Sequence, residues 1–298
     1  MASMVNEQGI PLRALGKTGE NVTIIGVGGY HIGKDNEQLG THIIRAAIDQ
    51  GVTFMDNAWC YNEGRSEIIM GKALRDGYRD KAFLMTKNHG RDAKTFVAQL
   101  DQSLTRLQTD HIDLIQFHEM IHDGTPAMVY AEGALEQALL AKEQGKIRYI
   151  GFTGHRWPHL FQQMLDGGFQ WDTLQHPVNL LDAQFRTFSR DILPKADAMG
   201  LGIIGMKSLA AGNLLKLGVT PQQAIRYSLS QPVDVLVTGI DSMEILAQNI
   251  AIAKSFEPMS PDEQDSLLSR VAEVAADGKM EEYKTGSGGN NADPYRIH

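Results

Sequence analysis

Short apolar runs alternate with amphipathic segments along most of this chain. Between the runs, apolar residues recur at helical spacing, and several of these helix-like segments end in Gly, as helix C-termini often do. Strands that are apolar on both faces, each followed by a helix, indicate a parallel sheet, and eight such units close into a barrel. The pattern therefore predicts an α/β fold of the (β/α)₈ TIM barrel type. The predicted strands are 23–29, 51–56, 82–87, 112–118, 148–154, 172–178, 201–207 and 233–239.

An open doubly wound sheet is the alternative architecture, and it requires a G-x-G-x-x-G turn after its first strand. The sequence "GVGGYHIG" lacks that spacing. Two segments fall outside the eight repeats: 9–23 predicts a hairpin at the bottom of the barrel, and 260–279 predicts an extra C-terminal helix that starts at Ser260 and Pro261. We therefore expect a single domain over 1–298. Its Gly- and Asn-rich tail, from about 282 to 298, is expected to be mobile, either as a frayed end or as a segment that folds over a ligand.

Composition narrows the possible partners. The 298 residues are 42% hydrophobic and 21% charged, which is typical of a globular protein with a large core. A net charge of -8 disfavours nucleic acid and anionic membranes as partners. The single cysteine, Cys60, cannot form an internal disulfide, and no apolar run is long enough to cross a bilayer. With no signal peptide pattern at the N-terminus, we expect a cytoplasmic protein, and its oligomeric state stays open.

Polar residues stand where three neighbouring predicted strands end. Asp56 ends the second strand, Lys87 the third and His118 the fourth, and Tyr61 follows Asp56 in the same loop. Neighbouring strands lie about 4.8 Å apart, so these groups can converge. Reduction of a carbonyl by hydride leaves an alkoxide, which a tyrosine can protonate if a nearby cation lowers its pKa. Lys87 supplies the cation, Asp56 keeps it charged, and His118 can polarise the carbonyl oxygen.

The same four residues carry a family resemblance. Together with "LGKTG", "DNAWCYNEGRSE", "TRLQTDHIDLIQFHE" and "GFTGH", they resemble the aldo-keto reductases over residues 12 to 256. The resemblance implies that Asp56, Tyr61, Lys87 and His118 form a catalytic tetrad, with Tyr61 as general acid and base. It also implies reversible hydride transfer between a nicotinamide and the carbonyl or alcohol of a small molecule, such as an aldehyde, ketone or sugar.

The resemblance further implies a nicotinamide dinucleotide across the barrel mouth. The residues matched in register are Thr153 and Gln175 for the carboxamide, Met206 in place of a stacking aromatic ring, Lys207, Ser208, Leu209 and Gly212 for the pyrophosphate, and Gly239, Ser242, Gln248 and Asn249 for the adenosine end. Relatives that prefer NADP commonly place Lys or Arg in this last segment, where this chain has Asp241 and Glu244. The family's habit favours NADP(H) and the local charge favours NAD(H), so both stay open.

Substrate contacts are predicted in the strand-end loops, at Tyr30, His31, Trp59 and Glu119. Two other functions remain possible: a cofactor-binding regulatory subunit without turnover, and a Schiff-base lyase that uses Lys87. We expect no metal site, because the available histidines do not show the H-E-x-x-H spacing and no cysteine ligand is expected beside them. These histidines are His118, His122, His155 and His176.

Overall fold

Eight parallel strands close into a barrel in the computed structural model, which describes residues 4–34 and 36–286. Around the barrel these eight strands lie in chain order, and the last pairs with the first. The predicted barrel and all eight predicted strands are confirmed. The strands are β1 (Leu12–Ala14), β2 (Asn21–Thr23), β3 (Ile25–Gly28), β4 (Phe54–Asp56), β5 (Phe83–Asn88), β6 (Ile112–Phe117), β7 (Ile147–Thr153), β8 (Thr173–Pro177), β9 (Gly202–Met206) and β10 (Val235–Gly239).

Helices surround the barrel and bury their apolar faces against its outer surface. Short 3₁₀-helices occupy Tyr61–Gly64, Arg79–Lys81 and Ala210–Gly212. The α-helices are α1 (Gly29–Ile32), α2 (Glu37–Asp49), α3 (Arg65–Ala73), α4 (Ala93–Leu107), α5 (Thr125–Ala131), α6 (Ala134–Glu143), α7 (Pro158–Asp166), α8 (Phe188–Asp191), α9 (Leu193–Met199), α10 (Asn213–Lys216), α11 (Pro221–Leu229), α12 (Met243–Lys254), α13 (Pro261–Ala275) and α14 (Glu282–Thr285). Within the described ranges, no helix is both long enough and apolar enough to cross a membrane.

The predicted N-terminal hairpin is confirmed as the antiparallel pair β1 and β2. Leu15, in its turn, is fully buried in the apolar cluster that fills the barrel interior. Gly16 has φ +51°, and a Cβ there would lie 2.2 Å from the backbone nitrogen of Gly202. Its own N–H donates to Asp234 at 3.0 Å, just before β10. The hairpin therefore closes the N-terminal end of the barrel, which leaves the C-terminal strand ends as the open mouth.

The extra C-terminal helix is confirmed as α13. Ser260 and Glu263 form a capping box at its start, and its buried face packs against the segments around α10 and α11. The segment that follows differs from the expectation of a tail starting at about 282. Residues Glu282–Thr285 form α14, in which Tyr283 and Lys284 are buried. The remainder of that tail, 287–298, lies outside the described residues.

Candidate active site

The predicted tetrad converges at the C-terminal mouth of the barrel. Asp56 ends β4, and both of its carboxylate oxygens accept hydrogen bonds of 2.8 Å from Nζ of Lys87, near the end of β5. The same Nζ donates to the carbonyl of Asn57 at 2.8 Å and lies 3.4 Å from the hydroxyl of Tyr61. The Tyr61 ring meets the ring of His118 edge-on, with centroids 5.7 Å apart. One ammonium group therefore joins the carboxylate to the phenol.

A strained turn holds Tyr61 in this place. Tyr61 begins a 3₁₀-helix in which Asn62 and Glu63 have φ of 50° and 58°, and Gly64 has φ of 87°. The Asn62 side chain fixes the turn by donating to the carbonyl of Tyr30 at 2.8 Å. Successive non-glycine residues in the left-handed region are costly and persist only where the surroundings impose them.

The pKa of Tyr61 moves opposite to the expectation from the sequence. Burial and the nearby Asp56 carboxylate raise this pKa well above its ordinary value. The expected lowering by Lys87 does not result, because burial and the Asp56 carboxylate outweigh it. Tyr61 is consequently a protonated hydrogen-bond donor at neutral pH.

His118 is a buried, neutral imidazole. Burial and the neighbouring His89, Lys87, His155 and Arg91 lower its pKa well below the ordinary value. Its Nδ1 lies 2.9 Å from Nε2 of His89, so the second ring nitrogen is the one left to meet a ligand. A neutral ring with its proton on that nitrogen can donate a hydrogen bond to a carbonyl oxygen.

His89 and Cys60 also lie at this site, although the sequence predicted no role for either. Cys60 Sγ lies 3.1 Å from His89 Nε2 and 3.6 Å from His118 Nδ1. The three side chains are buried, and their ligand atoms lie close enough to share one metal ion. The expectation that no cysteine stands beside the histidines is therefore wrong. Side-chain alternation offered a signal, because His89 lies two residues after Lys87 and so faces the same side.

Thr153 and Gln175, predicted for the nicotinamide carboxamide, are paired across β7 and β8 and are both buried. Gln175 Nε2 donates to Asp56 Oδ2 at 2.9 Å, which ties it to the tetrad. Its Oε1 is buried and accepts no hydrogen bond from the described residues. A buried acceptor without a donor is costly unless a ligand supplies one. The amide group of a nicotinamide is a donor of this kind, so the residues present fit that group.

The loop after β9, predicted for the pyrophosphate, has an unusual backbone. Lys207, Ala210 and Ala211 have φ of 58°, 48° and 56°, and Gly212 has φ of 91°. Ala210, Ala211 and Gly212 are thus three successive left-handed residues, and the N–H groups of Ala210 and Gly212 donate to the carbonyls of Lys207 and Leu209. Met206 and Leu209 are half-buried beside Ser208, which is buried. Contact of this loop with a pyrophosphate stays a prediction.

The residues after β10 that were predicted to contact the adenosine end of the cofactor have mixed surroundings. A Cβ on Gly239 would lie 2.6 Å from the ring of His31, so glycine is needed there for packing. The Ser242 side chain caps α12 by accepting from the N–H of Ile245 at 3.2 Å. Asn249 is buried, whereas Gln248 is exposed. His31 thus lies on this side of the mouth, near Asp241.

The other predicted substrate residues lie in different surroundings. Tyr30 stands against Tyr61, with ring centroids 5.5 Å apart, and is 38% exposed, so it borders the open mouth. Trp59 was predicted to contact a substrate, and its indole N–H donates to Gln102 at 2.8 Å. Glu119 is buried and adopts φ of 56°, with its carboxylate 3.9 Å from His155. Tyr30 is therefore the predicted substrate residue that contacts the tetrad tyrosine.

The C-terminal segment also reaches this side of the barrel, which the sequence did not indicate. The Tyr283 ring packs against His155, with centroids 6.0 Å apart, and the Lys207 ammonium lies 4.9 Å from its centroid. Its hydroxyl accepts a 2.9 Å hydrogen bond from Asn179. Helix α14 consequently forms part of the wall near the loop after β9.

Fold and site together place the protein among the (β/α)₈ barrel enzymes. The sequence profile of the Aldo/keto reductase family matches residues 24–223, and the chain belongs to that family. It is an oxidoreductase. Among curated relatives, the uncharacterized oxidoreductase YrpG and the aldo-keto reductase YhdN, both of Bacillus subtilis, are 32% identical over 225 and 220 residues. Each match covers 67% of this chain, and the matches cover 67% and 62% of those relatives, so the chain spans about two thirds of their length.

Comparison with solved structures bears on the fold. The aldo-keto reductase AKR11C1 from Bacillus halodurans, in its holo form, superposes with a TM-score of 0.74 over 88% of this chain and 96% of that chain. The sequences are 23% identical. At that identity the likeness establishes a common fold, and the role of each side chain must be argued from its own surroundings.

Proposed function

We propose that this protein catalyses reversible, nicotinamide-dependent reduction of a small aldehyde, ketone or keto sugar, with Tyr61 as the proton donor. The observation that carries the proposal is the linked arrangement of the tetrad. Tyr61 OH lies 3.4 Å from a Lys87 ammonium held by both oxygens of Asp56, and the ring of His118 stands against the phenol.

The side chains divide the work as follows. When bound, a reduced nicotinamide supplies the hydride that adds to the carbonyl carbon. His118 donates a hydrogen bond to the carbonyl oxygen and orients it. Tyr61 gives its proton to the same oxygen as negative charge develops there, because an alkoxide is far more basic than a phenolate. Lys87 stabilises the phenolate that remains, and Asp56 fixes the direction of the ammonium.

Gln175 and the loop after β9 are the residues that would hold the cofactor. The unpaired Oε1 of Gln175 can accept from a carboxamide, and the N–H groups around Ser208 and Leu209 can meet phosphate oxygens. Either NADPH or NADH fits this description. Exposed Asp241 and Glu244 beside α12 disfavour an additional 2′-phosphate, so separate fluorescence titrations with NADPH and NADH measure how far local charge decides the preference.

The hydrogen bonds of Lys87 argue against a Schiff-base lyase. A Schiff base needs an amine with a free lone pair, whereas Nζ donates to two carboxylate oxygens and a carbonyl. Treatment with borohydride in the presence of a carbonyl substrate tests this directly. Covalent trapping of the substrate on Lys87 would favour the lyase over the reductase.

The decisive test is Tyr61→Phe, assayed by oxidation of NADPH and NADH with a panel of aldehydes, ketones and keto sugars. Loss of a general acid should lower kcat by about 10²- to 10⁴-fold. Cofactor affinity should change by no more than a few fold. Tyr78→Phe removes a phenol that bonds Asp49 away from the mouth and is the matched control. Near-normal turnover in Tyr61→Phe would refute the role of Tyr61, and tight cofactor binding without any turnover in the wild type would favour a regulatory subunit.

A further inference from the structure

Three residues that follow neighbouring strands meet beside the tetrad, and we propose that Cys60, His89 and His118 form a binding site for one Zn²⁺ ion. Cys60 lies in the loop after β4, His89 directly follows β5, and His118 directly follows β6. The three ligand atoms lie within 4.8 Å of one another and all three residues are buried. The site shares His118 with the tetrad, but metal binding can be measured without turnover, so the two proposals can fail separately.

The distances between the ligand atoms describe a nearly regular triangle. Its sides are 3.1 Å from Cys60 to His89, 3.6 Å from Cys60 to His118 and 2.9 Å from His89 to His118. A point equidistant from the three atoms lies about 1.9 Å from each, close to Zn–N bonds of about 2.0–2.1 Å and a Zn–S bond of about 2.3 Å. A small outward shift of the sulfur completes the coordination.

Hydrogen bonding accounts for this triangle less well than a shared ion does. A ring nitrogen of a neutral imidazole carries either one hydrogen or one lone pair, directed outward in the ring plane. It therefore satisfies one partner in good geometry, yet each atom of the triangle has two partners at 2.9–3.6 Å. A central cation needs only one lone pair from each of the three atoms.

The chemistry of the three ligands selects the metal. A thiolate with two imidazoles suits zinc, whereas magnesium and calcium require oxygen ligands. On binding, the Cys60 thiol releases its proton to solvent, and the sulfur forms the Zn–S bond. Three protein ligands leave the fourth position of a tetrahedral ion for water or a small ligand. Coordination through Nδ1 keeps the proton of His118 on Nε2, so zinc binding is compatible with hydrogen-bond donation to a substrate.

Metal binding at this site can be tested with Co²⁺, because Co²⁺ occupies zinc sites and absorbs visible light. One sample of purified protein is treated with a chelator and titrated with Co²⁺. A second sample is loaded with Zn²⁺, and its zinc content is measured after gel filtration. We expect saturation at one equivalent, with tetrahedral visible bands and a thiolate-to-cobalt charge-transfer band. The chain has a single cysteine, so that band can arise only from Cys60. Metal should also raise the thermal unfolding temperature.

Variants separate this site from adventitious binding. Cys60→Ala and His89→Ala should weaken metal affinity by at least ~100-fold, since even outer-sphere partners contribute about 10- to 100-fold. His42→Ala removes an exposed histidine on α2 and should bind as the wild type does. Cys60→Ser preserves size and supplies a second, conservative test, and circular dichroism checks that each variant is folded. Absence of stoichiometric binding by the wild type, or binding unchanged in folded Cys60→Ala and Cys60→Ser, would overturn the proposal.

Discussion

Two lysines of this protein are almost completely buried, and their surroundings differ in one respect. The side chains of Lys87 and Lys284 are 1% and 0% exposed, and each donates to an aspartate. Lys87 Nζ lies 2.8 Å from Asp56, whereas Lys284 Nζ lies 2.6 Å from Asp182. Burial and pairing are thus shared by both, and neither property identifies a reactive group.

The remaining neighbours distinguish the two ammonium groups. Lys284 also lies 2.9 Å from a second carboxylate, Glu281, and donates to the carbonyl of Phe185 at 2.8 Å. Lys87 has one carboxylate and a carbonyl, and its next neighbour is the hydroxyl of Tyr61 at the barrel mouth. A buried lysine therefore points to chemistry when a titratable hydroxyl at the open mouth lies beside it, and to anchoring when its neighbours are only carboxylates and carbonyls.

Replacement of Lys87 should produce the largest effect. Lys87→Met leaves Asp56 without its cation and deprives the Tyr61 phenolate of stabilisation, so we expect kcat to fall by at least ~10³-fold, as for the loss of a preorganised electrostatic group. Steady-state reduction of the best aldehyde or ketone substrate measures this. Lys72→Met, which breaks an exposed ion pair with Glu37, is the control and should retain its turnover.

Replacement of Lys284 should affect stability instead. Lys284→Met leaves Asp182 and Glu281 buried without a cation, and removal of one partner from a buried pair costs about 3–5 kcal/mol. Denaturant unfolding measures the loss in the free energy of unfolding. Below the unfolding transition, turnover should stay close to that of the wild type, because Lys284 contacts none of the tetrad side chains within the described chain. A fall in kcat comparable to that of Lys87→Met would remove the distinction between the two lysines.

The sequence predicted one member of this comparison and missed the other for a physical reason. Asp56 and Lys87 lie at consecutive strand ends, and parallel strands place such ends side by side, so their meeting follows from the pattern of apolar runs. Asp182 and Lys284 are separated by 102 positions, with Asp182 in a turn and Lys284 in the short helix α14. No periodicity relates them, and the resemblance to the family ended at residue 256, before α14.

The same limit applies within the site. Strand ends predicted which residues could meet, but not which hydrogen bonds were already made. The sequence predicted that Trp59 contacts a substrate, but it did not indicate that the indole N–H bonds Gln102 of α4, which packs beside that loop. The pKa of Tyr61 was expected to be lowered, and it is raised because burial and Asp56 outweigh a cation that is already paired. Both outcomes depend on three-dimensional packing that periodicity does not contain.

A buried histidine lies near each lysine: His118 near Lys87 and His176 near Lys284. The pH dependence of stability tests the contribution of His176. Burial lowers the pKa of His176, whose Nδ1 lies 2.8 Å from the carbonyl of Pro177 and whose ring stacks on Phe188. Because the unfolded chain then binds more protons than the folded one below about pH 6.5, His176 lowers stability as pH falls.

His176→Phe should remove the loss of stability that His176 causes as pH falls. The pH dependence of its free energy of unfolding between pH 6.5 and 5 should be shallower than that of the wild type by up to about 1.4 kcal/mol per pH unit. Denaturant unfolding at several pH values measures the difference. His42→Phe, at an exposed position, should leave the slope unchanged. An identical slope for His176→Phe and the wild type would mean that folding does not lower the pKa of His176.

The smallest effect should come from the second carboxylate beside Lys284. Burial raises the pKa of Glu281, so the fold bears a cost for its charge, and Lys284 retains Asp182 and the Phe185 carbonyl when that charge is removed. Glu281→Gln also keeps an oxygen for the 2.5 Å hydrogen bond from Tyr283. We expect a loss of about 1 kcal/mol or less in the free energy of unfolding, as for a single neutral hydrogen bond.

Asp182→Asn is the matched comparison and should cost more. Its carboxylate accepts from the backbone N–H groups of Phe188 and Ser189 as well as from Lys284, so the change weakens three interactions at once. Chemical unfolding of both variants under one condition ranks them. If Glu281→Gln lowered the free energy of unfolding more than Asp182→Asn, Glu281 would be the principal counter-ion of Lys284. The two buried lysines would then no longer share an ammonium group held mainly by one aspartate.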